Sequence, residues 1–382
     1  MKMKRNKLRI AAVLGFSAVL VAGCRDKEAE LLAPQLYFET VENTIEVEDV
    51  ATMSIDLQSR LSSMASSDVN VTYSIAGADV VADYNQKYGR EYLPFDSASL
   101  AESSATIAAG DIYSNIVSLD LNGLDAVAEG NTYLLPVRVE TGDVPVISGT
   151  DIVYYVIRKP VRIMNVARFN NNFFKIPISP LNVFTEVTYE ALVNVSRFGD
   201  NNTIMGCEGV MIMRIGDAGG GTVPRDILQM AGGAEMTWSD NPISPGQWYH
   251  LAFTCNSANE GHLYVNGEEV IAGTFKMASD LTANNADFGF SVGQVPRFMW
   301  GTRPFYGYMS EVRLWNVART ANQIKENMLT VDPASPGLLA YYKLNGELKD
   351  ATENHLDPTD LSMPSFVQLS TPVAIGGGLT EE

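Results

Sequence analysis

Two carboxylates can share acid–base work on a strand only if they face the same way, because successive side chains alternate between the two faces. Glycoside cleavage is the chemistry that most often asks for such a pair. Glu268 and Glu269 are adjacent, so they point apart. Glu235 and Asp240 lie on either side of Trp238, in a stretch that contains Pro242 and reads as a loop. Glu208 has no acidic neighbour at a useful spacing. His250, His262 and His355 are scattered, and no His/Cys set has the spacing of a zinc site. Neither a glycine-rich phosphate loop nor a Gly-x-Ser-x-Gly elbow occurs. The sequence therefore reads as that of a binding protein rather than an enzyme.

Binding of a sugar calls for an aromatic face against its C–H surface, with polar side chains on its hydroxyls. Such residues sit best on loops of a rigid scaffold. The stretch Gln294–Tyr306 fits: it has four aromatic residues, two arginines and two prolines, without strand alternation. We take Trp300, Arg297, Arg303 and Tyr306 as the main ligand-binding candidates, with Trp238 and Asn241 as a second group. The competing reading is structural, with Phe298 and Trp300 closing the edge of a sandwich.

The scaffold that must carry this loop is all-β. From Arg162 onward the apolar runs are long, and Val187, Tyr189, Ala191, Val193 and Val195 alternate on one face. Leu263 and Val265 run into Asn266-Gly267, the preferred pair for a type I′ hairpin turn. Thr320 and Gln323 have capping-box spacing, and Ile324 with Met328 forms an i, i+4 apolar pair, which predicts a short helix from Thr320.

Two motifs in this half carry a family resemblance. Trp248-Tyr249-His250 opens an apolar strand that leads to Leu263-Tyr264-Val265-Asn266-Gly267, and Gly307–Asn316 follows downstream. Their order and spacing resemble laminin G-like, concanavalin A-type jelly rolls. The resemblance implies a jelly-roll sandwich over residues 161–382, with the short helix packed against a sheet. The Glu-x-Asp-x-x-Glu run of the related glucanases is missing. Some relatives hold calcium, and Asp200-Asn201-Asn202 and Asn284-Asn285-Asp287 offer oxygen ligands, although both also read as turns. No other cofactor is expected.

Residues 36–160 read as a smaller, immunoglobulin-like sandwich. Val69, Val71, Tyr73 and Ile75 share one face, as do Val117, Leu119 and Leu121, and Leu135, Val137 and Val139. Ile152–Ile157 is apolar on both faces and suits an interior strand. Val80, Val81, Tyr84 and Tyr88 fall at helical spacing, with Asp79 as a possible cap and the two tyrosines as core residues. The segments Asp79–Asn85, Tyr92-Leu93-Pro94, Ile107–Gly110 and Tyr133–Val137 resemble a module of Bacteroidota surface lipoproteins. In those proteins it precedes glycan-binding and glycosidase domains, which implies a spacer. Here Ile107 is followed by two alanines, a small departure.

The N-terminus has a basic start, an apolar run from Ile10 to Val21, and Leu20-Val21-Ala22-Gly23-Cys24. The run is too short to span a bilayer and has the form of a secretory signal. Its end resembles a lipobox, so residues 1–23 are expected to be a signal peptide, Cys24 the lipidated residue and 24–35 a linker. Arg25–Glu30 resembles the export signal that places such lipoproteins on the outer face of the outer membrane. The formal charge of −18 argues against nucleic acid, whose phosphates are bound by clustered Lys and Arg. Cys207 and Cys255 could pair in an oxidising compartment, but we expect two buried thiols. By resemblance, the partners are a glycan, a membrane through the lipid, and neighbouring outer-membrane glycan-uptake proteins. The alternative is an adhesion protein whose second domain contacts another protein.

Overall fold

A computed structural model describes residues 33–48, 50–179, 184–219, 221–276, 281 and 289–379. The signal segment with Cys24, and the possible calcium ligands Asn284-Asn285-Asp287, lie outside the described residues. The described chain folds into two β-sandwich modules in sequence order.

In the first module a six-stranded sheet faces a three-stranded one. Val69, Val71 and Tyr73 meet Leu119, Leu121, Leu135 and Val137 in its core. Ile75, expected on the same buried face, lies at the strand end and is 36% exposed. Ile152–Arg158 is an interior strand, paired antiparallel to Thr132–Glu140 and parallel to Glu42–Glu46. Both of its faces are covered because helix α1, Ala78–Tyr88, packs Val81 and Tyr84 on Val156 and Leu134. The helix begins one residue earlier than Asp79: Gly77 is the N-cap, no side chain caps it, and Asp79 lies in the first turn. Tyr84 is core, its hydroxyl on Glu42 at 2.5 Å. Tyr88 is not, being 42% exposed at the helix end, where the next turn no longer faces the sheet.

The second module is a larger sandwich of an eight-stranded and a seven-stranded sheet. The strand Val187–Val195 lies in the middle of the first, between Trp248–Cys255 and Tyr306–Trp315. Its odd residues enter the main core, as their alternation predicts. The even residues Thr188, Glu190, Leu192 and Asn194 are buried as well, which the alternation did not predict. The outer face of this sheet is covered by the chain's own later segments. Leu192 packs with Trp248, Leu369 and Val373 of the C-terminal stretch. Ile324 of α2, Ala321–Glu326, packs on Ala252 and Tyr264. The capping box is formed, with Thr320 and Gln323 exchanging hydrogen bonds. Asn266 and Gly267 both take positive φ, 53° and 77°, as the tight hairpin requires. Cys207 and Cys255 are buried thiols and form no disulfide.

Gly307 marks the closest backbone approach between strands. Its φ is 154°, and a Cβ there would stand 2.0 Å from the carbonyl oxygen of Asn194. Gly307→Ala should therefore destabilise the module by about 2–4 kcal/mol, since neither backbone can yield without breaking the ladder. A urea titration would check this; a midpoint equal to the parent's would mean the two strands can separate freely.

Under α2 lies an ionic cluster. Glu190 accepts from Arg319 at 2.9 Å, His250 Nε2 at 3.1 Å and Arg313 at 3.3 Å, and all four side chains are at most 2% exposed. Arg313 also binds Glu311 at 2.6 Å and donates to the Asn327 carbonyl at 2.7 Å, tying the end of α2 to the sheet. Burial holds the His250 imidazole below its ordinary pKa of 6.5, against the pull of Glu190. A lowered folded pKa means the stability it supports is complete above pH 6.5 and declines as the pH falls below it. Thermal unfolding should show this decline between pH 7 and 5, with a shallower slope in His250→Gln. Equal slopes would contradict it.

The modules meet along a polar seam. Asn322 donates to the Tyr88 carbonyl at 2.6 Å, and Glu326 accepts from the Tyr92 hydroxyl at 2.8 Å and pairs with Arg90. Arg162 pairs with Glu48 at 2.8 Å across the junction.

Candidate functional site

The stretch 293–305 folds back on itself as a flap. The Gly293 N–H donates to the Ile204 carbonyl, the Gly293 carbonyl accepts from the Phe305 N–H, and the Val295 N–H donates to the Thr302 carbonyl. Its underside carries Val295 and Phe298, which pack on Ile212 and Ala231 of the second sheet's outer face. Its tip presents Met299 and Trp300, each 79% exposed. The structural reading thus fails for Trp300 and changes for Phe298, which packs on the outer face of interior strands rather than plugging the sandwich edge.

One ring contact reaches that indole, and ion pairs brace the flap around it. Phe298 meets Trp300 edge to face at 5.4 Å between centroids. The Arg303 guanidinium lies 4.5 Å from the Phe298 ring centre and pairs with Glu208 at 2.6 Å. At the other end of the flap, Arg297 and Lys175 both hold Asp360, at 2.5 and 2.8 Å. Hydrogen bonds from Arg297, then Lys175, keep the Asp360 carboxyl below its ordinary range. Arg297 and Arg303 themselves take left-handed backbone, φ 61° and 52°. Each such non-glycine residue costs about 1–2 kcal/mol. Strain of this kind persists where surrounding contacts impose it; the Arg303 carbonyl accepts from the Thr203 N–H at 3.1 Å, and both side chains are paired.

Beneath and beside the flap, several buried polar atoms have no partner within the described residues: Thr203 Oγ1, Ser291 Oγ, Gln294 Oε1 and Glu208 Oε2. Polar atoms left in this way are ordinarily served by water or ligand. The flap therefore combines an exposed indole and paired arginines at the surface, above buried polar atoms that lie out of reach of a surface ligand.

The other candidates are placed elsewhere or differently. Tyr306 begins the strand Tyr306–Trp315 and is half-buried, with the Arg197 guanidinium 3.4 Å above its ring. That ring face is already covered. Trp238 ends an edge strand and packs half-buried against the main core, on the opposite face of its sheet from Thr237, whose hydroxyl accepts from Gln229. Asn241 is exposed in the loop that follows. The structure thus links Trp300 and Arg303 through Phe298, sets Arg297 on Asp360 on the same flap, and places Trp238 and Asn241 on a different strand and loop. Two partners, Glu208 and Asp360, carry no sequence signal, because they are 95 and 63 residues from the arginines they hold.

The acidic pairs do not converge. Glu268 is held by Lys325 at 2.6 Å and Glu269 by His262 at 2.9 Å. Glu190 and His250 are adjacent but wholly buried, out of reach of any substrate. At the possible calcium turn, Asp200 pairs with Arg225 at 2.6 Å, and the Asn202 amide is spent on Gly199 and Ile215. Among the described residues no group of three His, Cys, Asp or Glu side chains could hold a metal.

Residues 169–325 match the family model of the concanavalin A-like lectin/glucanases superfamily. Residues 32–146 match a second model, that of an N-terminal domain. A crystal structure of a candidate carbohydrate-binding protein from Bacteroides ovatus is 42% identical, with a TM-score of 0.64. The likeness covers 89% of this chain and 99% of that one. The chain belongs to the family of that protein. Its second module is a member of the concanavalin A-like superfamily, and both modules of the family are present in order.

More distant likenesses exist. Domain 4 of AbnA, an extracellular arabinanase from Geobacillus stearothermophilus solved with arabinotriose, is 20% identical over 45% of this chain and 84% of that one, TM-score 0.33. The CBM40 of the Ruminococcus gnavus IT-sialidase, bound to α2,3-sialyllactose, is 12% identical over 44% and 98%, TM-score 0.33. Likenesses this partial carry no weight below. No curated protein matches the chain.

Proposed function

We propose that this protein is a surface-anchored lipoprotein that binds glycan through the flap of its second module. The observation that carries the reading is Trp300, left 79% exposed at the flap tip with its ring edge to face on Phe298, which Arg303 in turn covers. A solvent-facing indole with arginines on the same flap is suited to a sugar face and its hydroxyls. Membership in the family of a candidate carbohydrate-binding protein supports the same ligand class. The apolar residues at the tip are two, not the broad patch that a protein partner would favour. In this reading the protein holds glycan without cutting it, and Glu208 serves Arg303.

Lipidation at Cys24 fastens the chain to the outer membrane, with the two sandwiches outside the cell. There it captures polysaccharide or glycoprotein glycan and passes it to neighbouring enzymes and an outer-membrane transporter. A glycan-array screen of residues 25–382 tests the capture role, and binding to a defined glycan family is expected. A folded sample that binds none would turn the reading towards adhesion. Cys24→Ala should release the protein from membranes and abolish labelling by palmitate; persistent labelling would refute the anchor.

A further inference from the structure

We infer that the seam between the two modules is a second ligand site, one that takes a neutral oligosaccharide. For its ligand class the inference rests on the glycan-binding reading above, but it concerns a different place in the molecule. Two cavities of about 350 and 430 Å³ lie along the seam and share Gly130, Asn131, Thr132, Glu326 and Asn327 as lining. Between them the backbones touch: a Cβ on Gly130 would stand 2.8 Å from the Val331 carbonyl. Each module supplies one wall. Clefts between domains are a common place for small ligands.

The chemistry of the lining selects the ligand. Asn131 and Thr132 from the first module, and Asn327 and Ser335 from the second, make no side-chain hydrogen bond within the described protein. They are neutral amides and hydroxyls, which can each donate and accept, as sugar hydroxyls do. Tyr92 supplies an aromatic wall fixed by its bond to Glu326 and by stacking on Tyr84 at 5.9 Å. The charged groups are largely neutralised in pairs: Arg90 with Glu326, Arg158 with Glu46, Lys325 with Glu268. Of the charges that remain, the acids Glu91 and Asp332 outnumber the one cation, Lys159, which donates to the Asp125 carbonyl, so the balance disfavours an anionic chain. On this account the first module is part of a binding surface and more than a spacer.

Hydrogen exchange read by mass spectrometry, on the protein from residue 25 with cellohexaose, mannohexaose and chitohexaose in turn, tests the site. At least one probe should slow exchange roughly threefold or more in peptides covering 85–93, 130–132 and 323–336. Ser335→Trp and, separately, Asn131→Trp should remove that protection without lowering the unfolding temperature. They should leave any protection of the flap, 294–305, unchanged. Seam peptides unaffected by all three probes would overturn the inference, and so would protection that survives both blocking variants. Protection of the flap alone would keep the flap reading and reject this one. Protection of the seam alone would do the reverse.

Discussion

Glu190→Gln should lower the stability of the second module by about 3–5 kcal/mol, the range for removing one partner of a buried ion pair. The carboxylate is the common acceptor of Arg319, Arg313 and His250. Burial alone would raise its pKa. Arg319, then His250 and Arg313, outweigh that and hold it well below the ordinary carboxylate value. Its contribution is thus complete above pH 4.5 and lost as the pH falls through its lowered folded value. An amide of the same size keeps the shape but takes from Arg319 its carboxylate partner in a dry site, leaving Arg313 with the carboxylate of Glu311 alone. At ~2–4 °C per kcal/mol for a module of this size, the melting temperature should fall by roughly 6–20 °C. Calorimetry on the variant checks it. A shift under about 2 °C would mean water reaches the cluster and screens it.

Trp300→Ala should weaken glycan binding by about 2 kcal/mol, or ~30-fold, while leaving stability unchanged. The two effects separate because the indole is mostly in solvent and supports nothing beneath it. Arg303→Ala should give a smaller loss of affinity, with some loss of stability. It removes the Glu208 pair and the guanidinium over the Phe298 ring, so Trp300 remains while the ring it meets is less firmly held. Titration calorimetry of parent and variants with an array-identified glycan gives both numbers. Equal affinity in Trp300→Ala would move the site off the flap tip.

Much of this architecture was legible in the sequence, for physical reasons that differ from part to part. Local rules carried the Asn266-Gly267 turn, since only residues tolerant of positive φ suit it. They carried the capping box at Thr320 as well, where both partners lie within one turn. The outer face of Val187–Val195 was not legible. Thr188, Glu190 and Asn194 look like solvent-facing residues until the segments that cover them, α2 and the C-terminal stretch, are placed. The same limit applied to α1, where Tyr84 and Tyr88 share a period but only Tyr84 reaches the sheet. At the candidate site the composition of 294–306 pointed to the flap. Which aromatic would be exposed depended on Ile212 and Ala231, far away in sequence, which claim Phe298. Trp238 looked equivalent to Trp300 as a residue type; strand parity sends it to the core instead.

The most direct test of the central claim uses the indole as its own reporter. Trp248 and Trp315 are buried and Trp238 is half-buried, so the red-shifted, quencher-accessible emission belongs to Trp300. Addition of a bound glycan should shift that emission to the blue and protect it from acrylamide, and Trp300→Ala should abolish both changes. Glycan binding seen by calorimetry with no change in the accessible emission would contradict the account, because the sugar would then rest somewhere other than on the flap.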